Sequence, residues 1–294
     1  MLVVFLGALV PATSSGQPRP TDVSDRPSII KTSDIFFASV DGHDLALDLY
    51  MPANVEKPPL VVWVHGGLWR YGSRAVVNAI DLVDHGFAIA SVSFRLSAAA
   101  PMPAQVHDIK AGIRFLRANA DLYGYDADDI AIAGASSGAH LAALVGVTNG
   151  SDPHEGDVGT DLAASSDVQA IVSYFGASNL LSILDQSTPH GLNVRIPALE
   201  LLLGGELAVK SELARFASPV FHVDANDPAL LLLHGDQDPQ MPINQSHELH
   251  AAAKQHELVV HFEVVHGAAH GGDKFFDRPR TQIVARFLND HLRP

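Results

Sequence analysis

Apolar residues dominate six short stretches of the chain, and polar or glycine-rich segments separate them. The stretches are residues 58–67, 87–94, 130–134, 168–176, 229–235 and 258–267. Each has the length of a strand, and most of its positions are apolar. Such runs are typical of strands that are buried on both faces of a sheet.

A different pattern lies between these strands. Residues 103–120 carry apolar side chains at Val106, Ile109, Ile113 and Leu116, at intervals of three, four and three, which form one face of a helix. Further helices are predicted over residues 75–84, 139–147, 243–255 and 273–292. Strands that alternate with helices predict an α/β fold, with a mainly parallel central sheet and helices on both faces. Functional sites of such sheets form at the carboxyl ends of the strands.

Residues 178–223 interrupt the alternation. They contain no strand pattern and two helix-like stretches, PALELLLGG and LARFASPV, so they predict a small helical cap above the sheet. Residues 149–166 are rich in Gly, Asp and Ser and predict a loop. Nearer the start, residues 35–40 and 45–50 predict two strands joined by a hairpin turn at Asp41-Gly42. A single domain is therefore expected over residues 31–294.

The first residues have the pattern of a targeting segment. An apolar run over residues 2–10 is followed by small residues, with Ala12 and Ser14 spaced as at a signal cleavage site, although no basic residue precedes Arg19. This predicts a signal peptide over residues 1–16 and a secreted or periplasmic protein. Without cleavage or export of this segment, the protein would be cytoplasmic. Residues 17–30 are rich in Pro, Ser and Asp and predict a disordered lead-in.

The composition narrows the classes of function. The 294 residues carry a formal net charge of −14, which argues against nucleic acid and anionic membrane surfaces as partners. The absence of cysteine excludes disulfides, thiolate zinc sites and a cysteine nucleophile. The 16 histidines raise the question of a metal. His247 and His250 share one face of a predicted helix, but Glu248 does not, so we expect no metal and no cofactor.

The sequence GASSG follows the predicted strand at residue 130 and precedes a predicted helix. It fits the pattern G-x-S-x-G with Ser136 at its centre. In a nucleophile elbow, the chain turns sharply from strand into helix, and glycines on both sides let the two elements approach. Ser136 is therefore the predicted nucleophile, and the N–H of Ser137 is a predicted oxyanion donor. The alternative is a serine that merely caps the helix.

The sequence HGGLW follows an earlier buried strand. Glycines there leave backbone N–H groups open to a substrate oxygen, which predicts the second half of an oxyanion hole. Gly67 and Leu68 are the predicted donors, and Gly66 is needed for the turn. His65 is predicted to be a buried structural histidine. Trp69 either lines the acyl pocket or packs in the interior.

A serine nucleophile needs a base, and the base needs a residue that orients it. The sequences HGDQD and GAAHGG follow the last two predicted strands, at the same edge of the sheet as the elbow. We predict Asp238 as the acid and His270 as the base. Asp236 is the competing acid. His266 is the competing base, but it still belongs to the strand pattern.

These segments together resemble the α/β-hydrolase superfamily. More narrowly, they resemble bacterial carboxylesterases related to acetyl-xylan and feruloyl esterases and to hormone-sensitive-lipase-like enzymes. The resemblance runs from about residue 59 to residue 272 and rests on the motifs HGGLWRYGS, SVSFRLS, AQVHDIKAGIRFLRANADLYGYD, IAIAGASSGAHLAAL, ASPVFHV, LLLHGDQDPQMP and GAAHGG. It implies that the acid is the second Asp of HGxxD, here Asp238, and that the base is the His of the final loop, here His270.

Three positions depart from the usual pattern of these esterases. Leu68 stands where many relatives carry a third glycine, Ser137 where Ala is usual, and Phe94 where Tyr is common. The first two are compatible with hydrolysis, because the oxyanion donors are backbone groups. The HGG-x-W form also occurs in kynurenine formamidases, so an amide substrate stays open.

The sequence predicts a serine carboxylic-ester hydrolase that acts through an acyl-enzyme on a small-molecule or glycan-linked ester. Three alternatives compete with it. The first is an amidase resembling arylformamidases. The second is a serine peptidase, although the chain has no obvious propeller of repeated strands before the hydrolase segments. The third is an inactive binding module, which would usually lack a triad member. The oligomeric state is left open.

Overall fold

A computed structural model describes residues 20–292 of the chain. The strands within them are β1 (Ile29–Val40), β2 (His43–Pro52), β3 (Leu60–Val64), β4 (Ala88–Val92), β5 (Ile130–Ala135), β6 (Ala170–Tyr174), β7 (Ala229–Gly235) and β8 (Val260–Val265). They form one sheet in the order β1-β2-β4-β3-β5-β6-β7-β8. The strands from β3 onwards run parallel, while β2 is antiparallel to both β1 and β4. The predicted α/β fold with a mainly parallel sheet is confirmed.

The helices lie between and above the strands. They are α1 (Ala104–Ala118), α2 (Ala120–Tyr123), α3 (Ser137–Gly146), α4 (Asp152–Glu155), α5 (Pro189–Leu203), α6 (Ser211–Phe216), α7 (Asn244–Gln255) and α8 (Arg278–Leu292). Short 3-10 helices cover Ile80–His85, Pro219–Phe221 and Asp273–Phe275. None of the helices in the described part of the chain is both long and apolar enough to span a membrane.

The core has two layers because both faces of the central strands are covered. In β3 every residue is buried: Leu60, Val62 and Val64 belong to one apolar cluster, and Val61 and Trp63 belong to the other. The first cluster includes apolar residues of α1, α3, α5 and α7. The second includes residues of α8 and of the 3-10 helix Ile80–His85. The unbroken apolar pattern of the strands therefore reflects burial from both sides.

The predicted hairpin at Asp41-Gly42 joins β1 to β2. Both residues have left-handed backbone angles, with φ of 52° and 78°, which suits the twist of a two-residue hairpin turn. The segment 178–223 contains α5, α6 and one 3-10 helix and no strand. The predicted loop 149–166 contains the short helix α4.

The helix predicted over residues 75–84 is wrong for the first half of its length. Turns occupy its first half, and only Ile80–His85 is helical, as a 3-10 helix. The carbonyl oxygens that an α-helix would use are taken by distant partners. That of Ala75 accepts from the N–H of Thr21 (2.7 Å), and that of Val76 accepts from the indole of Trp63 (2.9 Å).

The N-terminal lead-in also differs from its prediction. The predicted signal peptide over residues 1–16 and residues 17–19 lie outside the described residues. From residue 20 onwards the chain is held in place rather than disordered. Thr21 bonds to Val77 through its hydroxyl, Arg26 pairs with Asp81 (2.7 Å), and β1 already begins at Ile29. These polar contacts with the 75–84 segment are long-range, so no local pattern in the lead-in reveals them.

Candidate active site

Ser136 lies at the turn between the end of β5 and the start of α3. Its backbone angles are φ 56° and ψ −121°, a combination that non-glycine residues rarely adopt. Such strain persists only where the surrounding structure holds the backbone. The N–H of Ser136 donates to the carbonyl of Tyr174 (2.9 Å), and its own carbonyl accepts from the N–H of His140 (3.1 Å). The turn therefore presents the Ser136 side chain at the carboxyl edge of the sheet.

The glycines around the turn are needed for steric reasons. A Cβ added to Gly134 would lie 2.4 Å from the carbonyl oxygen of Gly138. One added to Gly138 would lie 2.2 Å from the carbonyl oxygen of Val64, and one added to Gly66 would lie 2.7 Å from that of Ala135. The elbow is therefore packed backbone to backbone against the turn that follows β3.

His270 connects Ser136 to Asp238. Its Nε2 lies 2.9 Å from Oγ of Ser136, and its Nδ1 lies 2.7 Å from Oδ2 of Asp238. Because a carboxylate only accepts, Nδ1 carries the proton, and Nε2 is left to accept from the serine hydroxyl. The Asp238 side chain is fully buried, and that of His270 is 15% exposed. The structure thus brings together the three side chains that the sequence predicts as nucleophile, base and acid.

The loop after β7, residues 236–241 and called the acid loop below, fixes the second oxygen of Asp238. Its Oδ1 accepts from the N–H groups of Gln240 and Met241, both at 2.8 Å. Burial raises the pKa of Asp238, but hydrogen bonds from His234 and His270 outweigh it and hold the pKa well below its usual range. Asp238 is therefore an anion at any pH near neutrality.

His234 is a supporting residue that the sequence analysis did not assign. It is fully buried, with Nδ1 2.7 Å from the hydroxyl of Ser246 and Nε2 3.0 Å from the carbonyl of Met241. Its Nε2 also lies 3.4 Å from Oδ2 of Asp238. It ties the acid loop to β7 and α7. The motif HGDQD contained the signal, since its histidine follows a wholly apolar strand and needs polar partners.

The turn after β3 contains the other predicted oxyanion donors. Gly67, Leu68 and Trp69 have φ of 126°, 57° and 60°, so three successive residues are left-handed. Within residues 20–292, the N–H groups of Gly67, Leu68 and Ser137 donate no hydrogen bond. Unpartnered N–H groups are what a developing oxyanion requires. The turn starts close to the serine, since a Cβ added to Gly66 would lie 3.4 Å from Cβ of Ser136. Gly66 lies at the start of this turn and packs closely against the elbow.

Trp69 packs in the interior instead of lining an open pocket. It is 1% exposed, and its Nε1 donates to Nδ1 of His140 (3.0 Å). Nε2 of His140 in turn donates to the carbonyl of Ala217 at the end of α6 (2.7 Å). This chain of bonds joins the turn after β3, the elbow helix and the segment 178–223. Burial lowers the pKa of His140 to about 4, so it stays neutral near pH 7. The sequence had given no sign of this bridge.

His65 has the structural character that the sequence predicts. Its Nδ1 donates to the carbonyl of Gly66 (2.8 Å), and its ring stacks on Phe94 with ring centres 4.6 Å apart. Burial lowers its pKa to about 4. It therefore supports the turn as a neutral residue and does not reach Ser136.

The helix histidines His247 and His250 pack against the ring of Phe262, at 5.0 and 6.0 Å between ring centres. Within residues 20–292, no group of three or more His, Asp or Glu side chains is placed to hold a metal ion.

The family model described as BD-FAE matches residues 47–253, which include the turn after β3, the elbow and the acid loop. The chain belongs to the BD-FAE family of α/β-hydrolase esterases. The resemblance to serine esterases predicted from the motifs is thereby confirmed. The matched range ends before the loop that carries His270.

Individual relatives agree with this assignment. Esterase LipC of Mycobacterium tuberculosis is 31% identical over 245 residues, which cover 79% of this chain and 59% of LipC. A truncated carbohydrate esterase from gut microbiota superposes with a TM-score of 0.82 at 29% identity, over 90% of this chain and 97% of the other. A bifunctional GH43-CE protein of Bacteroides eggerthii gives a TM-score of 0.80 at 32% identity, over 88% of this chain and 35% of that protein.

Proposed function

We propose that this protein hydrolyses carboxylic esters, with Ser136 as nucleophile, His270 as general base and Asp238 as the residue that orients the base. The observation that supports it most directly is the hydrogen-bonded chain from the Ser136 hydroxyl through the imidazole to a buried carboxylate, at 2.9 and 2.7 Å. Nucleophile, base and orienting group in hydrogen-bond contact are the geometric signature of covalent acyl transfer.

In the first step, Oγ of Ser136 attacks the ester carbonyl, and Nε2 of His270 takes the hydroxyl proton. Asp238 holds the Nδ1 proton and stabilises the imidazolium that forms. The carbonyl oxygen becomes an oxyanion, and the N–H groups of Gly67, Leu68 and Ser137 stabilise it. Each such donor typically contributes about 100- to 1,000-fold to turnover.

Collapse of the tetrahedral intermediate breaks the bond to the alcohol, which leaves with the proton from Nε2 of His270. The acyl group stays on Oγ of Ser136 as an ester. A water molecule then attacks this acyl-enzyme while His270 takes its proton. The second collapse releases the carboxylic acid and returns the proton to Ser136. None of these steps uses a metal or a cofactor.

We propose small acyl groups on carbohydrate or other small alcohols as the substrate class. Support comes from the two solved structures described as a carbohydrate esterase and as a GH43-CE protein. The curated relatives are named esterases, but the chain spans about 59% of the length of LipC and 62% of that of LipQ, also of Mycobacterium tuberculosis. The esterase activity of these longer relatives is therefore a proposal for this chain.

The test is a substrate panel with purified protein and its Ser136→Ala variant. The panel contains 4-nitrophenyl esters of increasing acyl length, acetylated xylan, methyl ferulate and an aryl formamide. We expect turnover of short acyl esters by the parent protein and a loss on the order of 1,000-fold or more in the variant. Hydrolysis of the formamide in preference to every ester would replace the proposal by an amidase. No turnover of any member would contradict it.

A further inference from the structure

Arg195 in α5 is a buried cation that bonds no carboxylate among residues 20–292. Its exposure is 3%, its Nε is buried without a partner in this range, and one of its terminal nitrogens donates to the hydroxyl of Ser187 at 3.3 Å. Over residues 20–292, no Asp or Glu forms an ion pair with it, although the charge of Asp238 favours its charged form. A guanidinium has five N–H donors, and burial without partners is costly for a charge.

The other two buried arginines of the described chain show the usual arrangement. Arg95 bonds Asp108 through two nitrogens, at 2.9 and 2.8 Å. Arg114 bonds Glu155 at 3.0 Å. Both of these guanidinium groups bond a carboxylate of the chain. Arg195 bonds none among residues 20–292, and its unpartnered Nε points to an acceptor supplied from outside the chain.

The position of Arg195 ties it to the active site. The helix α5 begins against the acid loop, where the hydroxyl of Thr188 donates to the carbonyl of Pro239 at 3.0 Å. A Cβ added to Gly191 would lie 3.3 Å from the same carbonyl oxygen. Arg195 follows Gly191 by four residues and so lies on the same face of the helix. Pro239 directly follows Asp238, so Arg195 lies on the helix face that covers the acid loop.

The charges agree with this placement. Burial lowers the pKa of Arg195 to about 10, and the carboxylate of Asp238 opposes that change, so Arg195 stays positive near neutral pH. Asp238 is already committed elsewhere, because its oxygens accept from Gln240, Met241 and His270. The donors of Arg195 are therefore left for another anion.

We infer that Arg195 is an anion-binding residue beside the active site, and that it selects esters which carry a carboxylate several bonds from the scissile carbonyl. The carboxylate must lie several bonds from the scissile carbonyl because Ser136 attacks that carbonyl, whereas Arg195 lies beside the loop of Asp238. The imidazole of His270 separates Ser136 from Asp238. A planar guanidinium binds a carboxylate through two parallel hydrogen bonds, which gives direction as well as affinity. The inference rests on the proposed esterase function and adds its substrate class.

Two pairs of probes test the inference, each an acid and its uncharged amide. The first pair is 4-acetoxybenzoate and 4-acetoxybenzamide, which place the charge in the alcohol half. The second is the mono-4-nitrophenyl ester of adipic acid and of its monoamide, which place it in the acyl half. We expect the parent protein to show at least a tenfold higher kcat/KM for the acid than for the amide in one pair. The pair that shows it identifies the half that Arg195 contacts.

Arg195→Gln should reduce that ratio of acid to amide by at least tenfold, while Arg195→Lys retains part of it. The matched control is Arg215→Gln in α6. The guanidinium of Arg215 lies over the ring of Phe221, 4.0 Å from its centre, so this variant should keep the parental ratio of acid to amide. Thermal unfolding checks that each variant is folded. If Arg195→Gln does not fold, competitive inhibition of the parent protein by adipate, and not by adipamide, provides the same test.

Hydrolysis of both members of each pair at equal kcat/KM by the parent protein would overturn the inference and leave the esterase function intact. The same is true of equal losses on acid and amide in Arg195→Gln, which would make Arg195 a positioning residue for the acid loop. If the parent protein hydrolysed neither these probes nor the neutral 4-nitrophenyl esters, the result would instead contradict the proposed function.

Discussion

Nδ1 of His266 lies 2.8 Å from a carboxylate oxygen of Asp236, just as Nδ1 of His270 lies 2.7 Å from one of Asp238. The chain therefore contains two acid–histidine pairs in the same two loops, with nearly equal bond lengths. They differ in burial and in whether the histidine contacts Ser136. The side chain of His266 is 84% exposed, whereas that of His270 is 15% exposed and has its free nitrogen on Ser136. Only the second pair can take a proton from the serine.

The two aspartates should respond differently to the same substitution. In Asp238→Asn, the amide can donate to Nδ1 and favour the wrong imidazole tautomer, so kcat should fall on the order of 1,000- to 10,000-fold. Asp236→Asn should cost less than tenfold, because its partner does not reach Ser136. Steady-state kinetics of both folded variants decide the matter, and a larger loss in Asp236→Asn would move the acid to that residue.

The two histidines form a second matched comparison. His270→Ala removes the imidazole that contacts Ser136, so turnover should fall on the order of 1,000-fold or more. His266→Ala removes an exposed side chain and should keep turnover within about tenfold of the parent, since surface changes have small effects. A folded but inactive His266→Ala together with an active His270→Ala would show that the wrong base has been chosen.

Gly138→Ala tests the steric basis of the elbow. The new Cβ would meet the carbonyl oxygen of Val64 at 2.2 Å, so the free energy of unfolding should fall by about 2 kcal/mol or more. Gly124→Ala is the control, because its Cβ would meet nothing within 4 Å and only its φ of 84° opposes a side chain, at about 1 kcal/mol. Urea unfolding measures both, and equal losses would contradict close packing of the elbow.

His140 should make stability depend on acidity. Its pKa is lowered by burial from 6.5 to about 4, so the unfolded chain binds a proton that the folded protein refuses between these values. Above pH 6.5 this histidine costs the folded protein no stability. As the pH falls towards 4, the free energy of unfolding decreases by at most about 3 kcal/mol, because the unfolded chain takes up the proton first. His140→Gln should therefore lose less stability than the parent between pH 7 and pH 4. Parallel pH profiles of unfolding would contradict a buried neutral His140.

Much of the fold could be predicted because burial on both faces leaves a strong local pattern. The strands β3 to β8 are short and mostly apolar, and Ser, Asp or His directly follows each of them except β6. Parallel strands bring those following residues to one edge of the sheet. Proximity of Ser136, Asp238 and His270 could thus be expected from the sequence. Their catalytic roles stay predictions until the variants above are measured.

The parts of the structure that could not be predicted depend on contacts between residues far apart in the sequence, which no local pattern encodes. The segment 75–84 has a helical composition, yet its carbonyl groups bond to Thr21 and Trp63, so an α-helix does not form. The bond from Trp69 to His140 joins residues 71 positions apart. Arg195 lies in a helix with little separation of apolar and polar faces, and only the packing of α5 on the acid loop shows its position.

Covalent labelling tests the central claim most directly. The parent protein, Ser136→Ala and Ser137→Ala are treated with a fluorophosphonate, and the modified peptide is mapped by mass spectrometry. We predict one phosphonyl group on Ser136 in the parent protein, with ester turnover lost in step with labelling. Ser137→Ala should label in the same way, because its backbone N–H remains, and Ser136→Ala should not label. A label on Ser137, or a fully labelled protein that still hydrolyses esters, would contradict the proposed mechanism.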